Sequence, residues 1–339
     1  MMTPGGIAAV AAVICSLVGV VSGKEMAVNM KLKAEIYDNG LRHEEIMALK
    51  NACIRHQPTH HVHGPLTSHK QRIWNELDQA GVYDSTQYTS FSTNTRAKNP
   101  DKDFVACKDG VASYVPGDAK YTFRCSNLDL YDFKTHAELG SPRGRGAGSW
   151  GWANHRNGRE FVAIAQEDGT SFSEVTKGGK LVYLGRLPQY TGANASLWRE
   201  IKGYKNFVVI GSEAVDHGVQ IFDLEKLESV NPEKPVVFSN EKDLDGFWNE
   251  GLPVGRSHNV VTNEERDYGV AVGFAPRNAT LRAGMVFFDL SDPRNPKTLG
   301  GTGEDGYVHD AQCLVYRGPD KKYVGKDICY GYDEDSLTM

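Results

Sequence analysis

An internal repeat of roughly 50 residues constrains the fold more than any other feature of this sequence. In three copies, an acidic and an aliphatic residue are followed by a polar turn and then by a Leu-Gly pair. The Leu-Gly pairs are residues 139–140, 184–185 and 299–300. We interpret each copy as the end of a strand, a turn, and a short strand that closes on Leu-Gly.

Paired apolar runs accompany the repeat and predict two further strands in each unit. The pairs are 161–164 with 170–175, 207–210 with 219–224, and 268–272 with 285–290. The units open near Trp150, Trp198, His258 and His309. Four short strands in a unit of this size are typical of a β-propeller blade, whose radial packing buries both sheet faces. The sequence therefore predicts an all-β fold, a β-propeller over residues 107–339.

The two ends of the repeat region predict incomplete blades. Residues 125–140 have the pattern of the outer strands of a partial blade, and residues 309–339 have the pattern of inner strands without outer ones. If the two segments share one blade, they close a four-bladed propeller. The alternative is an open, truncated propeller.

The first 23 residues predict a signal peptide. An apolar run from Ile7 to Val21 is followed by the small residues Ser22 and Gly23 and then by charged residues. The run is short for a membrane span, although an uncleaved anchor is the alternative. Residues 24–106 then form an extension with helical pieces at 43–50 and 72–80. The extension either caps the propeller or is a flexible leader.

Cysteine usage predicts an oxidised, exported chain. Neighbouring cysteines suggest two disulfides, Cys107 with Cys125 and Cys313 with Cys329. Cys53 is then left over. The expected disulfides require an oxidising compartment, and together with the signal peptide they predict secretion.

Glycosylation sequons and net charge point to the same compartment. Asn194 and Asn278 each open an Asn-X-Ser/Thr sequon, which an exported chain carries on exposed loops. The formal net charge of -5 provides no basic field for nucleic acid. We expect an unknown extracellular protein or a glycan as the partner, no nucleic acid, and no transmembrane segment after signal cleavage.

A histidine-rich segment at about 52–70 predicts a metal site. Imidazole is the commonest ligand for zinc or copper, and the candidate ligands His56, His60, His61 and His63 lie close together beside Cys53. Their spacing matches no defined zinc finger. A mobile loop without a metal is the alternative.

The starts of the predicted blades supply a second candidate site. First strands line the central channel of a propeller, so polar residues at unit starts would converge there. These candidate ligand residues are Arg199, Glu200, His258, Asn259, His309 and Asp310. Such a channel could hold a divalent metal that activates water. The alternative is that these side chains only bond strand ends and loops.

Two smaller groups carry weaker signals. Trp150 and Trp152 alternate along a predicted strand, where they either stack on sugars or pack in the core. Glu213, Asp216 and His217 lie between two predicted strands, where they form either an acid-base set or an ordinary turn.

The sequence also resembles a known family. The motifs that carry the resemblance are "TFRCSNLDLYDF", "WGWANHRNGREFVAIAQEDGTSF", "YLGRLP", "WREIKGYKNFVVIGSEAVDHGVQIFDL", "LPVGRSHNVV", "DGYVHDAQC" and "GPDKKYVGKDICYGYDEDSLT". They are similar to the choice-of-anchor B family of LVIVD-repeat proteins, which in fungi include regulatory P domain-containing proteins. The resemblance implies a secreted, repeat-built propeller without an assigned reaction. It also implies further blades beyond "EDSLT" and has no counterpart for residues 52–70.

Two function classes remain open from the sequence. We expect a secreted binding or scaffold propeller at the cell periphery, because no catalytic constellation has a diagnostic spacing. The alternative is a metal-dependent hydrolase-like enzyme with its site at the channel mouth.

Overall fold

The computed structural model describes most of the chain after residue 104, together with short stretches before it. The described residues are 72, 75–76, 79–81, 91–92, 104–142, 145–190, 192–333 and 337–339. The chain divides into two compact units, residues 1–82 and 83–339. The signal peptide, the helical piece at 43–50, Cys53 and the histidine-rich segment at 52–70 lie outside the described residues.

The first unit contains a helical piece where the sequence predicts one. Residues 72, 75, 76 and 79 are helical, and the chain then turns at Ala80 and Gly81. Gly81 has a φ of 75°, a left-handed conformation that glycine adopts easily and that ends helices.

Two short ribbons open the second unit. Strand β1 (Phe91–Ser92) pairs with β4 (Asp132–Phe133), and β2 (Val111–Ser113) pairs with β3 (Thr122–Arg124). A 3₁₀ helix at Ala119–Tyr121 connects β2 to β3. The predicted disulfide between Cys107 and Cys125 is present beside the second ribbon.

The first sheet is a meander with one added edge strand. Its order is β12-β8-β7-β6-β5. Four antiparallel strands follow one another along the chain, β5 (Gly146–Asn154), β6 (Arg159–Gln166), β7 (Gly169–Val175) and β8 (Leu181–Pro188). Strand β12 (Val236–Val237) pairs with β8 in parallel.

The second sheet repeats this antiparallel order. Its strands are β9 (Arg199–Tyr204), β10 (Phe207–Ser212), β11 (Val219–Asp223) and β13 (Gly246–Trp248). A 3₁₀ helix at Leu224–Ser229 follows β11 and places Leu224 and Leu227 in the core. Asp223 caps that helix by accepting a hydrogen bond from the backbone of Glu225.

The third sheet is a plain meander of four strands. It contains β14 (Asn259–Asn263), β15 (Tyr268–Val272), β16 (Met285–Asp289) and β17 (Thr298–Thr302). Each strand pairs antiparallel with the next along the chain.

The fourth sheet has three described strands. They are β18 (Val308–Val315), β19 (Asp327–Asp333) and β20 (Leu337–Thr338). The predicted disulfide between Cys313 and Cys329 joins facing residues of β18 and β19. In the described part of the chain, every sheet is open and none closes into a barrel.

The structure confirms an all-β fold and places strands at the predicted apolar runs. All six paired apolar runs are strands, β6 with β7, β10 with β11, and β15 with β16. Strands include the Leu-Gly pairs at residues 184–185 and 299–300, but each strand continues beyond its pair, to Pro188 and to Thr302. At residues 139–140 that prediction is wrong, because residues 136–140 form a turn.

The four-bladed prediction places residues 125–140 in one blade with residues 309–339. The structure does not show this pairing among the described residues. Strand β4 pairs with β1, and the strands of the fourth sheet have no pairing with this segment among the described residues. Instead, Lys180 Nζ donates to the carbonyl of Tyr131, and Leu181 N donates to Asp132 Oδ2. The segment therefore lies against the turn between β7 and β8 of the first sheet.

Apolar clusters join each sheet to the next. One cluster lies between the first and second sheets, where Phe172 and Phe222 stack with ring centres 4.9 Å apart. A second lies between the second and third sheets, where Trp248 stacks on Phe288 at 4.4 Å. A third lies between the third and fourth sheets and includes Met285. Burial of this apolar surface is the main force that holds the sheets together.

The first strands of successive sheets are neighbours. Strand β5 contacts β9, β9 contacts β14, and β14 contacts β18. The N-terminal ends of these four strands therefore lie side by side. The loops that precede the strands meet there as well. No helix in the described part of the chain has the length and apolar character that a membrane crossing requires.

Candidate functional site at the starts of the first strands

Side chains from three sheets meet at the ends where the first strands begin. Trp198 directly precedes β9, and Glu213 directly follows β10, whose last residue faces Arg199. His258 directly precedes β14, and His309 is the second residue of β18. We call Trp198, Glu213, His258 and His309 the strand-start cluster.

Glu213 holds His258 in a fixed orientation. Glu213 Oε1 accepts a hydrogen bond from His258 Nδ1, and Glu213 Oε2 accepts from Arg256 Nη2 at 2.7 Å. The Glu213 side chain is 20% exposed and that of His258 is 13% exposed. Burial raises the pKa of the Glu213 carboxyl, but the bond and charge of His258 and the charge of Arg256 outweigh it. The net pKa is lowered, so Glu213 is an ionised acceptor at neutral pH.

The two histidines of the cluster are adjacent. The ring centres of His258 and His309 are 4.2 Å apart, with the ring planes tilted by 53°. The Trp198 ring lies 5.7 Å from His258, and the Tyr307 ring lies 6.4 Å from His309. Arg277 in turn lies over the Tyr307 ring at 3.9 Å. The histidines are thus flanked by aromatic rings on both sides.

The orientation of His258 decides which chemistry it can perform. When Nδ1–H donates to Glu213, the tautomer is fixed and the lone pair is on Nε2. Nε2 of His258 makes no hydrogen bond among the described residues. An imidazole of this kind can accept a hydrogen bond or a proton from a ligand, or bind a metal ion.

Arg199, a predicted channel residue, is instead part of the core. Its side chain is 1% exposed, Nε donates to Gln166 O at 2.9 Å, and Nη1 lies 2.6 Å from His217 Nε2. Burial lowers the pKa of the Arg199 guanidinium to about 9, against the favourable charge of Asp168. A ligand at the surface cannot reach this guanidinium, because the group is enclosed between the first and second sheets.

His217 accompanies Arg199 and does not join Glu213 in an acid-base set. His217 is fully buried, and its Nδ1 donates to Gly218 O at 2.9 Å. Burial and the charge of Arg199 lower its pKa to about 3. Asp216 is exposed at the turn, with a φ of 62°. The structure therefore separates the three residues that the sequence places in one loop.

The remaining predicted channel residues have partners within the protein. Glu200 Oε1 accepts from Lys202 Nζ at 2.9 Å. Asn259 Nδ2 donates to Asp310 Oδ1 at 2.7 Å, which links β14 to β18. Of the six residues predicted to line the channel, the structure brings together His258 and His309 at the surface.

The two tryptophans of β5 have different environments. Trp152 stacks on Phe161 with ring centres 5.4 Å apart and packs against the core between the first and second sheets. Trp150 is 39% exposed, and Lys202 Nζ lies 5.8 Å from its ring.

Both sequons lie on exposed loops. Asn194 is exposed in the loop between β8 and β9, and Asn278 is exposed in the loop between β15 and β16. Both loops are at the end of the sheets that carries the strand-start cluster.

A shallow depression lies elsewhere, around the disulfide between Cys107 and Cys125. Its volume is about 500 Å³, and Leu128 and Asp129 contribute to its lining. Asp129 Oδ1 accepts there from the backbone of Cys107 at 2.9 Å. The residues that line this depression include no histidine and no aromatic side chain, in contrast to the strand-start cluster.

Metal-binding geometry is limited in the part of the chain that the structure describes. No group of three or more His, Cys, Asp or Glu side chains there is arranged to hold a metal ion. The four candidate ligand histidines at 56, 60, 61 and 63 lie outside the described residues, so that metal prediction stays a prediction.

Sequence reasoning missed Arg256 and Tyr307, and it grouped Glu213 with the wrong histidine. Glu213 and His258 are 45 residues apart, and no local pattern links them. Comparison of the chain with models of known protein families and with curated proteins finds no match to either.

Proposed function

We propose that this chain is an extracellular binding protein of the β-propeller type that binds a glycan at the strand-start cluster. The propeller is supported by four successive sheets whose first strands are neighbours and whose faces pack on one another. The resemblance to the LVIVD-repeat proteins of the choice-of-anchor B family supports the same architecture. Two disulfides and two exposed sequons are consistent with secretion.

The observation that carries the proposal is the meeting of side chains from three sheets at one surface. Trp198 and Tyr307 supply aromatic rings, and His258 and His309 supply polar atoms between them. Aromatic faces beside directed hydrogen-bonding groups suit a ligand that has both apolar C–H faces and hydroxyl groups. Sugars have this character. The hydrolase alternative stays a prediction.

Glycan binding by the secreted protein tests this proposal. The full chain is expressed in a secreting eukaryotic host and applied to an immobilised panel of cell-surface glycans. We expect binding to one glycan class that weakens at least tenfold in His309→Ala, equivalent to about 1.4 kcal/mol. Trp198→Ala removes a flanking ring and is expected to weaken binding as well.

The control is His155→Ala, which removes an exposed histidine from the turn between β5 and β6 at the opposite end of the first sheet. This variant should bind as the unchanged protein does. Equal binding by His309→Ala and His155→Ala, or no binding to any glycan class, would contradict the proposal.

A further inference from the structure

The strand-start cluster contains the arrangement that usually accompanies a metal-binding histidine. Such a histidine donates its second ring N–H to a carboxylate, a carbonyl or water, which fixes the ring and strengthens the ligand nitrogen. His258 has this contact through Nδ1 to Glu213. Arg256 holds the other oxygen of Glu213 at 2.7 Å, so the carboxylate is itself fixed.

The ring that carries the available nitrogen lies beside a second imidazole. Nε2 of His258 has no hydrogen bond among the described residues, and the His309 ring centre is 4.2 Å from that of His258. The ring planes are tilted by 53°, so the two rings are not stacked face to face. Two neighbouring imidazoles repel each other when both are protonated, whereas a cation between them is bound by both.

The surroundings favour an ion with nitrogen ligands. Trp198 and Tyr307 flank the pair, and the His258 side chain is 13% exposed, so the local dielectric constant is lower than that of water. Imidazole nitrogen suits zinc, copper and nickel, whereas calcium and magnesium prefer oxygen.

We propose that His258 and His309 form an open two-histidine site for a first-row transition metal ion, Zn²⁺ or Cu²⁺, and that Glu213 is its positioning residue. Because no third protein ligand is arranged nearby among the described residues, the other coordination positions belong to water or to donor atoms of a ligand. The site shares residues with the proposed glycan surface. It does not depend on glycan binding, because metal binding is measured without a glycan.

The histidine-rich segment must be removed from the measurement, because its own histidines would bind the same ions. The background is therefore the full chain with alanine at His56, His60, His61, His63 and His69. Zn²⁺ alone is titrated into the metal-free protein by calorimetry. We expect one Zn²⁺ per chain in this background.

Three variants in the same background test the ligands. His258→Ala and His309→Ala should abolish the binding of Zn²⁺, and Glu213→Gln should weaken it about 10- to 100-fold. His309 is exposed, so its variant tests the site even if His258→Ala does not fold. The control His155→Ala should leave both stoichiometry and affinity unchanged.

A spectroscopic signal separates positioning by Glu213 from a general structural role. Electron paramagnetic resonance of bound Cu²⁺ should show two nitrogen ligands, and Glu213→Gln should alter that spectrum at an unchanged melting temperature. Absence of stoichiometric Zn²⁺ binding in the background, or full Zn²⁺ binding by His309→Ala, would overturn the proposal. Loss of glycan binding with intact Zn²⁺ binding, or the reverse, shows which of the two proposals has failed.

Discussion

At the scale of single residues, the contact between Arg199 and His217 links two sheets through buried polar atoms. Arg199, the first residue of β9 in the second sheet, bonds Gln166 O in the first sheet and His217 in the connection between β10 and β11. Because His217 Nδ1 donates to Gly218 O, its Nε2 must accept from the guanidinium, and the imidazole is neutral. Protonation of His217 would place two cations in contact inside the core, which is strongly unfavourable.

The neutral state of His217 predicts a specific loss of stability at acidic pH. Its pKa is about 3 in the folded chain, where burial lowers it first and Arg199 second, and its ordinary value is 6.5. The unfolded chain therefore binds the proton more tightly, so stability is intact above pH 6.5 and falls as the pH drops from there. Between pH 6.5 and 5.0 we expect a loss of up to about 2 kcal/mol. Urea unfolding at pH 7.0 and 5.0 measures it.

The matched variants are His217→Gln and His155→Gln. A neutral glutamine at 217 should flatten the loss between pH 7.0 and 5.0, whereas the exposed His155 should not matter. Burial also lowers the pKa of His136. Its effect on the pH dependence of stability is the same in the unchanged protein, His217→Gln and His155→Gln, because all three retain His136. Identical pH dependence of the unchanged protein and His217→Gln would show that His217 is not the group responsible.

Residue patterns predicted part of the candidate site. His258 and His309 open successive predicted units, and the sequence grouped them because the first strands of a propeller line its channel. Arg199 opens an equivalent unit too, yet it is buried, because His217 and the carbonyl of Gln166 accept its hydrogen bonds. Which polar residue at a strand start is enclosed depends on partners far along the chain, and local spacing does not contain that information.

At the scale of strands, the Leu-Gly pairs of the repeat mark β-bulges. In β8 the register shifts between Phe172 and Ser173 opposite Leu184, and in β17 it shifts between Phe287 and Phe288 opposite Leu299. The glycine that follows the leucine has a positive φ in both strands, 146° at Gly185 and 135° at Gly300. Bulges of this kind increase the local twist of a strand. The Leu-Gly pairs of β8 and β17 thus specify a β-bulge followed by a residue with positive φ.

The two bulge glycines allow steric effects to be separated from backbone strain. A Cβ at residue 185 would lie 2.1 Å from Val236 O, whereas a Cβ at residue 300 meets nothing within 4 Å. Both Gly185→Ala and Gly300→Ala introduce strain at positive φ, roughly 1–3 kcal/mol. Gly185→Ala should destabilise the protein further, because it also pushes β12 away from β8. Thermal and urea unfolding of the two variants measure the difference, and equal destabilisation would show that the pairing of β12 with β8 contributes nothing.

Strand prediction succeeded where packing is uniform and failed where it is not. Strands β10 and β15 are buried along their whole length, so a continuous apolar run identified each of them. The copy at 139–140 has the same Leu-Gly letters, but Gly140 there belongs to a turn with a φ of 84°. That segment packs on the first sheet through Tyr131, which lies over Gly179.

At the scale of the whole molecule, each middle sheet is an interface on both faces. In the second sheet, Val208 and Ile210 face the first sheet, whereas Val209 faces the third. In the third sheet, Val260 faces the second sheet and Val261 faces the fourth. Alternate residues of one strand thus belong to different cores. Stability in such an array is approximately a sum of the sheets and the interfaces between neighbours.

This arrangement predicts that a core substitution acts on the interface it faces. Met285 and Phe288 lie on the same strand, β16, but Met285 packs toward the fourth sheet and Phe288 packs toward the second. Each truncation to alanine leaves a cavity, which typically costs about 2–5 kcal/mol for Met and about 3–5 kcal/mol for Phe.

Hydrogen exchange measured amide by amide distinguishes the two cavities. In Met285→Ala the amides of β18 and β19 should exchange roughly 30-fold faster, because a loss of about 2 kcal/mol releases the fourth sheet while the first stays protected. In Phe288→Ala the faster exchange should extend through the second and third sheets, because the interface between them is central. The disulfide between Cys313 and Cys329 does not hold the fourth sheet in place, since both cysteines belong to that sheet. Equal acceleration in all four sheets after Met285→Ala would mean that the sheets unfold as one cooperative unit, as a closed ring of blades does.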